Sequence, residues 1–192
     1  AYNCGAAYLF ARAGSSWNLL RKFTPTGGAA QDDFGSAVAI SDFIAIVGSQ
    51  WDDDSGSESG SAYIYRYDLA TWVETKLTAS DGAANDNFGC AVAIDGQCAV
   101  VAARKDDDNG SNSGSVYVFR FDGGNWTQEA KLTADDGAAS DYFGAAVSVS
   151  GDYILVGADR DDDNGSYSGS AYVFHRSGSS WSQEAKLKAD DG

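Results

Sequence analysis

The feature that most constrains this chain is a sequence repeat whose period is a little over a quarter of the chain's length. A phenylalanine followed by glycine recurs at nearly equal intervals, at Phe34, Phe88 and Phe143. A tryptophan follows each of these phenylalanines at one constant spacing. The four repeated tryptophans, which keep the same period, are Trp17, Trp72, Trp126 and Trp181. Self-similarity at a fixed period of this length indicates a repeat architecture.

The period divides the chain into three full units and one half unit. The full units are residues 31–84, 85–139 and 140–192. Residues 1–30 match only the second half of a unit, because the segment from Cys4 aligns with the segment from Ser168. We therefore predict that the first two strands of this half unit come from sequence before Ala1, from a repeat after Gly192, or from another molecule.

Each full unit is predicted to contain four short strands. In the last unit they cover residues 143–150, 153–158, 170–176 and 181–187. The first strand alternates small or apolar residues with polar ones, and the second is apolar on both faces, which is typical of a strand covered on both sides. The alternation in the fourth strand places Trp181 and Leu187 on the same face.

Four antiparallel strands in each unit predict an all-β chain built from β-propeller blades. WD40 blades take roughly 40–45 residues and kelch blades about 50, close to the period seen here. The chain would then supply three full blades and half of a fourth. The helical periodicity of ankyrin, tetratricopeptide or leucine-rich solenoids is missing from the sequence.

Three short motifs resemble the FG-GAP repeat. They are Asp-x-Phe-Gly from Asp32, Asp86 and Asp141, the small-residue ends VGS, VAA and VGA of the second strand, and the GSAY or GSVY that opens the third. The resemblance spans the whole chain. It implies a propeller like that of integrin α chains, with about seven blades, and a role in adhesion or ligand binding. In integrins the calcium loop lies between the first and second strands, where this chain has only short turns, so the family's calcium residues do not carry over by position.

Acidic loops between the second and third strands are the candidate metal sites. They begin WDDDSG, KDDDNG and RDDDNG in the three units. Calcium takes six to eight oxygen ligands, and alternate carboxylates of such a loop could converge on one ion. The alternative is a hydrated turn in which Asp and Asn bind local amides. The candidate ligands are Asp52, Asp54, Asp106, Asp108, Asp161 and Asp163.

The repeated aromatic residues have two interpretations. Each Phe-Gly pair is expected to anchor one blade against the next, with glycine allowing close backbone approach. The repeated tryptophans either cover the gap between neighbouring outer strands or bind one sugar per blade, as in some lectins. The predicted anchors are the four repeated tryptophans together with Phe34, Gly35, Phe88, Gly89, Phe143 and Gly144.

No catalytic constellation stands out in the sequence. His175 is the only histidine and has no counterpart in the other units. The three cysteines, Cys4, Cys90 and Cys98, do not recur with the period. A two-residue turn at Asp95-Gly96 would place Cys98 opposite Ala93, so no bridge between Cys90 and Cys98 is assumed. We therefore expect a protein that is not an enzyme.

Three Asn-x-Ser/Thr sequons are candidate glycosylation sites if the protein is secreted by a eukaryote. They begin at Asn109, Asn125 and Asn164, in predicted loops or at the start of a strand. The Asn-Gly-Ser sequence is also common in ordinary turns.

The net charge of the chain limits the classes of partner that it can bind. With 28 acidic and 13 basic residues the net charge is −15, which disfavours nucleic acid and anionic membrane surfaces. No apolar run reaches the ~18 residues of a membrane span. We expect an extracellular, secreted or cell-surface module that binds a protein or glycan, is stabilised by calcium, and associates head to tail with other copies. The alternatives are a multivalent lectin and an accessory domain of a large secreted enzyme.

Overall fold

A computed structural model of the chain describes residues 4–190, which form only β-strands and loops. Residues 1–3 and 191–192, at the ends of the predicted first and last units, lie outside this range. The strands are β1 (Ala7–Ala13), β2 (Ser16–Phe23), β3 (Phe34–Ser41), β4 (Ile44–Ser49), β5 (Ser61–Tyr67), β6 (Trp72–Leu77), β7 (Phe88–Asp95), β8 (Cys98–Ala103), β9 (Ser115–Phe121), β10 (Trp126–Leu132), β11 (Phe143–Ser150), β12 (Tyr153–Ala158), β13 (Ser170–Ser177) and β14 (Ser180–Leu187).

The strands form three four-stranded antiparallel sheets and one two-stranded hairpin. We call β1–β2 the N-terminal hairpin, β3–β6 the first sheet, β7–β10 the middle sheet and β11–β14 the last sheet. Within each sheet the strands pair in chain order, so each is a simple meander. The predicted all-β fold of four-stranded blades is confirmed, and the hairpin corresponds to the third and fourth strands of a blade.

The sheets pack face to face, so each has a back side toward the preceding sheet and a front side toward the following one. On the middle sheet, Val101 and Tyr117 belong to the core shared with the first sheet. Val100 and Val116, which point the opposite way, belong to the core shared with the last sheet. Because β8 is covered on both sides, all six of its residues are buried, which explains its continuous apolar sequence.

The Phe-Gly pairs lie at the joints between consecutive sheets. The Phe88 amide donates to the Ser59 carbonyl at 2.9 Å, and the Phe143 amide donates to the Ser113 carbonyl at 2.9 Å. Their rings are fully buried. The backbones approach so closely that a methyl group on Gly114 would lie 2.0 Å from the Phe143 carbonyl oxygen. Glycine is therefore required at this position by the neighbouring sheet as well as by its positive φ of 85°.

Two predictions of local geometry are wrong. The tryptophan and leucine of the fourth strand lie on opposite faces: Trp126 packs toward the first sheet and Leu132 toward the last. A bulge between Gln128 and Ala130 adds one residue and reverses the alternation. The equivalent bulge in β14 likewise separates Trp181, which packs against the middle sheet, from the exposed Leu187.

The turn between β7 and β8 also differs from the prediction. Cys98 pairs with Asp95, so the turn is Gly96-Gln97 and Ala93 pairs with Val100. Cys90 and Cys98 are free thiols.

Candidate functional site

The acidic loops and the linkers that join consecutive sheets lie together at one edge of the molecule. Second strands and fourth strands end there, because strands alternate in direction within each meander. Backbone bonds tie the two kinds of loop together, for example from the Asn85 amide to the Ser57 carbonyl at 2.7 Å. Of the 28 acidic residues in the chain, 18 lie in these loops. We call this surface the loop edge.

In the last sheet, three carboxylates of the loop edge surround one lysine. The Lys186 ammonium nitrogen lies 2.8 Å from Asp136, 2.7 Å from Asp161 and 2.7 Å from Asp163. The Tyr172 hydroxyl donates to Asp161 at 2.8 Å and also contacts Asp136 at 3.1 Å. Lysine comes from the fourth strand, tyrosine from the third, and the carboxylates from the acidic loop and the preceding linker. We call each such group a lysine cluster.

The middle sheet repeats this arrangement. Lys131 lies 2.8 Å from Asp81, 3.0 Å from Asp106 and 2.6 Å from Asp108. The Tyr117 hydroxyl contacts Asp81 and Asp106, each at 2.9 Å.

In the first sheet the lysine cluster has two carboxylates instead of three. Lys76 lies 2.8 Å from Asp52 and also contacts Asp54. The Tyr63 hydroxyl donates to Asp52 at 3.1 Å. The linker position that holds Asp81 in the middle sheet holds Gly27 here, so the third carboxylate is missing from the sequence.

The lysine clusters are charged at neutral pH. Burial alone would lower the pKa of Lys131, but the hydrogen bonds that it donates to three carboxylates raise that pKa above its usual value. Burial would raise the pKa of Asp161, yet the bonds from Lys186, Tyr172 and Ser170 hold it below its usual value. Burial also raises the pKa of Tyr63 to about 12, so its hydroxyl stays a donor. Each cluster is thus an ammonium ion bound by carboxylates.

In each full sheet, the two candidate calcium ligands contact the same lysine. Asp106 and Asp108 meet at Lys131, while the Asp108 amide donates to the other Asp106 oxygen at 3.1 Å in a local Asx turn. The ammonium ion fills the centre that a metal would need, so the carboxylates as arranged do not fit calcium. Within residues 4–190, no group of three or more His, Cys, Asp or Glu residues has the geometry of a metal site. Calcium binding stays a prediction.

Sequence reasoning missed the lysines, their tyrosines and the linker carboxylates Asp81 and Asp136. A signal was present, because a lysine precedes the final leucine of each fourth strand and a tyrosine follows each Gly-Ser-Ala/Val. Alternation alone predicts that such residues are ordinary members of half-exposed strands.

The aspartates of the Asp-x-Phe-Gly motif stabilise the linkers by accepting hydrogen bonds from linker backbone amides. Asp86 is buried and accepts the Ala83 amide at 2.7 Å. Burial raises its pKa, and Asp106 raises it further, although the bond from Ala83 lowers it. Asp32 and Asp141 make the same bond to Ala29 and Ala138.

Most of the repeated tryptophans pack at the outer rim between sheets. Trp72 lies edge-on to Phe23 of the hairpin, with ring centroids 5.1 Å apart. Trp126 is buried and Trp181 is partly buried against the middle sheet. Trp17 alone of the four is strongly exposed. The remaining candidate, His175, stacks on Tyr153 at 4.7 Å.

The three sequons differ in the state of their asparagine side chains. The Asn109 amide group donates to the Ala134 carbonyl at 3.4 Å, and that of Asn164 donates to the Ala189 carbonyl at 2.8 Å. Asn125 is exposed in the turn between β9 and β10. Glycosylation stays a prediction at all three.

Some positions at the loop edge differ from sheet to sheet, although their neighbours repeat. The residue before the first loop aspartate is Trp51, Lys105 or Arg160. A second variable position, later in the same loop, holds Glu58, Asn112 or Tyr167, all in left-handed backbone conformation. In the last sheet, Arg160 lies over the ring of Tyr142 at 4.5 Å and that of Tyr167 at 5.7 Å. The common residues build the lysine clusters and joints, and the variable ones face solvent or each other.

Comparison with known families agrees with this repeated geometry. The family model described as the FG-GAP repeat matches residues 17–65, 72–119 and 126–174, about three quarters of the chain. The chain belongs to the FG-GAP repeat family. Each match starts at a repeated tryptophan, so it joins the fourth strand of one sheet to three strands of the next. A search of curated proteins found no match.

Membership carries coarse consequences for function. FG-GAP repeats indicate a β-propeller-type module, are generally non-catalytic and are typical of extracellular or surface proteins. Among residues 4–190 there is no helix that could cross a membrane.

Proposed function

We propose that this FG-GAP chain is a non-catalytic module that binds a protein or glycan outside the cell through its loop edge. The observation that carries the proposal is the variation of exposed or partly exposed loop-edge positions in otherwise matching repeats. Trp51, Lys105 and Arg160 occupy one repeat position with three different chemistries. Because neither the core nor the lysine clusters need these side chains, a ligand is the simplest reason for them to differ.

Electrostatics favour a ligand with a basic surface. The loop edge carries most of the chain's acidic residues, and the lysines of the clusters are already bound by carboxylates. The negative electrostatic potential of this surface raises the association rate of a cationic partner, and it weakens as salt screens it. Nucleic acid is disfavoured for the same reason.

The lectin is the second candidate, and we propose a different site for it. The repeated Trp72, Trp126 and Trp181 are at least partly buried between sheets, which leaves little face for a sugar. Trp51 and Tyr167 are exposed at the loop edge and could stack on a pyranose ring. An accessory role beside a catalytic domain is compatible with either ligand.

The test is binding of the labelled 192-residue chain to arrays of glycans and of extracellular proteins. The loop-edge variant carries Trp51→Ala and Tyr167→Ala, and the control carries Trp17→Ala, an exposed tryptophan of the hairpin. We expect a ligand whose binding falls at least tenfold in the first variant and is unchanged in the second. Equal binding by all three proteins, or chemical turnover of the ligand, would refute the proposal.

Calcium belongs to the same proposal, as an ion that competes with the cluster lysines. Lys131→Met would leave Asp81, Asp106 and Asp108 around an open centre. Millimolar calcium should then raise the melting temperature of the variant more than that of the wild type, because a ligand that binds only the folded state stabilises it. Equal melting curves in calcium and in chelator, for both proteins, would remove calcium from the proposal.

Head-to-tail association is a further part of the proposal. Tyr153, Leu155 and Leu187 on the front side of the last sheet are exposed, whereas the equivalent Cys98, Val100 and Leu132 are buried by a following sheet. Residues 1–30 contain three basic and no acidic residues, whereas residues 140–192 contain nine acidic and four basic ones.

Light scattering of the wild type should show a mass that rises with concentration, and Leu187→Asp should abolish that rise. A constant mass of 20.1 kDa for the wild type would exclude self-association through this face.

A further inference from the structure

A small pocket lies at the outer rim of the joint between the N-terminal hairpin and the first sheet. It encloses about 210 Å³ and is lined by β2, by the linker that follows β2, and by β5 and β6. Pockets for drug-sized ligands enclose ~300–1,000 Å³, so this one suits a single small unit. Its walls include Arg21, Phe23, Thr26, Tyr65, Trp72 and Glu74.

The Tyr65 hydroxyl in this pocket makes no hydrogen bond. Tyr65 is 4% exposed, and its hydroxyl oxygen is buried without a partner. Burial raises the pKa of Tyr65 and the nearby Glu74 carboxylate raises that pKa further, so the hydroxyl keeps its proton and remains a donor. A buried donor without a partner costs stability, and such a group in a native fold calls for an explanation.

Packing does not require this hydroxyl, because phenylalanine occupies the same position in the other two full sheets. The Tyr65 ring lies edge-on to the phenylalanine of its Phe-Gly pair, with ring centroids 6.2 Å apart. The equivalent Phe119 and Phe174 do the same at 6.1 Å and 5.9 Å. The hydroxyl is therefore added to a ring position that all three full sheets share.

The carboxylate of Glu74 is likewise absent from the other joints. Glu74 accepts the amide of Thr26 in the linker at 3.1 Å. Gln128 and Gln183, at the same repeat position, accept the equivalent linker amides at 3.1 Å. Because a neutral glutamine makes this bond equally well, the linker does not need a carboxylate here.

Arg21 is the third group that only this joint has. The same repeat position holds Thr75 before the middle sheet and Ala130 before the last sheet. Arg21 forms no ion pair within residues 4–190. Lys22 also borders the pocket, but its ammonium nitrogen lies over the Tyr8 ring at 5.7 Å, on the opposite face of β2 from Arg21.

The three added groups differ in the ligand atoms that they can bind. An anion would meet the Glu74 carboxylate, and a cation would meet the Arg21 guanidinium. A neutral hydroxyl both donates and accepts, so it can satisfy Glu74 together with Arg21 or Tyr65. The guanidinium presents its donors as a planar fork, which matches two neighbouring oxygens.

We infer that the pocket between β2 and the first sheet binds a neutral ligand with neighbouring hydroxyl groups, such as one sugar unit. Arg21 and the Tyr65 hydroxyl donate to ligand oxygens, and Glu74 accepts from a ligand hydroxyl. The ligand is held at its hydroxyls and does not need to stack on Trp72. The pocket contains none of the variable loop-edge positions, so this inference does not depend on the proposed function.

The experiment titrates the 192-residue chain with free monosaccharides and follows binding by saturation-transfer difference NMR. The neutral probes are glucose, galactose, mannose, fucose, xylose and N-acetylglucosamine. We expect at least one of them to bind saturably at millimolar concentration, which is ordinary for so small a ligand. Acetate, methylammonium and glycine are the charged probes and should bind at least tenfold more weakly than that sugar.

Three variants replace the added groups by residues found at the other joints, so each is expected to fold. Tyr65→Phe, Glu74→Gln and Arg21→Ala should each weaken sugar binding at least fivefold. Arg12→Ala removes another exposed arginine of the same hairpin and should leave the affinity unchanged, as should the loop-edge variant. Tyr65→Phe should melt at the wild-type temperature or above it, because it removes a buried hydroxyl that has no partner.

Five results would overturn the inference. The first is no saturable binding of any neutral sugar to the folded wild-type chain. The second is binding that Tyr65→Phe and Glu74→Gln leave unchanged, and the third is binding lost only in the loop-edge variant, because either would place the sugar elsewhere. The fourth is tighter binding of a charged probe than of every sugar. The fifth is a melting temperature of Tyr65→Phe below that of the wild type, because the hydroxyl would then serve the fold.

Discussion

The middle sheet and the N-terminal hairpin carry the same kinds of residue at the same repeat positions, yet in opposite environments. Tyr117 is fully buried and Trp126 is 9% exposed, whereas the equivalent Tyr8 and Trp17 are 55% and 66% exposed. The lysines differ in the same way, because Lys131 is bound by three carboxylates and Lys22 by none within residues 4–190.

The comparison teaches that a unit of this repeat specifies its strands but not its own core. Each sheet is a single layer, so its two sides are covered only by the sheets before and after it. A residue therefore stabilises the fold in proportion to the neighbours that the array provides. In a repeat protein, stability is close to a sum of units and nearest-neighbour interfaces. Pairs of residues that differ in how far a neighbouring sheet covers them test this.

The largest difference is expected for the aromatic residues. Phe88→Ala should reduce the free energy of unfolding by about 3–5 kcal/mol, because the ring is fully buried at the joint with the first sheet. Phe10→Ala, in the half-exposed hairpin, should cost less than about 1 kcal/mol. Urea denaturation of the two variants measures both values. Equal losses would show that the joints do not carry the stability of the array.

A smaller difference separates two glycines of the same motif. Gly114 and Gly169 both have positive φ, so alanine costs about 1–2 kcal/mol at either position. Only at Gly114 would the new methyl group meet a neighbouring sheet, 2.0 Å from the Phe143 carbonyl; at Gly169 the nearest atom is 3.5 Å away. Gly114→Ala should therefore cost about 1–3 kcal/mol more than Gly169→Ala.

Denaturation curves of both glycine variants provide the measurement. If the two substitutions cost the same, the close approach of consecutive sheets is not needed for stability.

The lysine clusters give the third comparison. Lys131→Met should cost about 2–3 kcal/mol, below the loss expected for a fully buried pair, because it leaves Asp106 buried without its cation while Asp81 and Asp108 can turn to water. Lys22→Met, at the same repeat position in the hairpin, should change stability by less than about 0.5 kcal/mol. A cost for Lys22→Met close to that for Lys131→Met would contradict the comparison.

The smallest expected effect is the pH dependence of the difference in unfolding free energy between the wild type and Lys131→Met. The folded-state pKa of Asp81 is below its usual 3.8: burial raises it, but Lys131 and Tyr117 lower it more. Its contribution is therefore present above about pH 4 and lost as pH falls through the folded-state pKa. The pKa of Lys131 is raised above 10.5, so its contribution is present below about pH 10 and lost as pH rises through the folded-state value.

The difference in unfolding free energy should thus be widest near neutral pH and narrow toward pH 3, by only part of the cost of Lys131→Met, because solvent screens the half-exposed Asp81. Melting curves of both proteins across that range measure it. A gap that is constant with pH would mean that packing of the lysine stem, and not its charge, stabilises the middle sheet.

The number, order and type of the strands can be predicted from the sequence alone. The period locates the units, and alternation and apolar runs locate the strands, because both depend on residues adjacent in the chain. The four strands predicted for the last unit match β11 to β14 to within one residue at each end.

Features that depend on residues far apart in the sequence become visible only in the tertiary structure. The bulge in β10 puts Trp126 and Leu132 on opposite sides of one sheet, a reversal that alternation cannot reveal. Asp106, one of the candidate calcium ligands, binds Lys131, which lies 25 residues further along the chain, and Asp81 from the linker of the preceding sheet binds the same lysine. The cluster exists because packed sheets bring a loop, a linker and a fourth strand to one point. It therefore depends on the packing of consecutive sheets and not on one repeat unit.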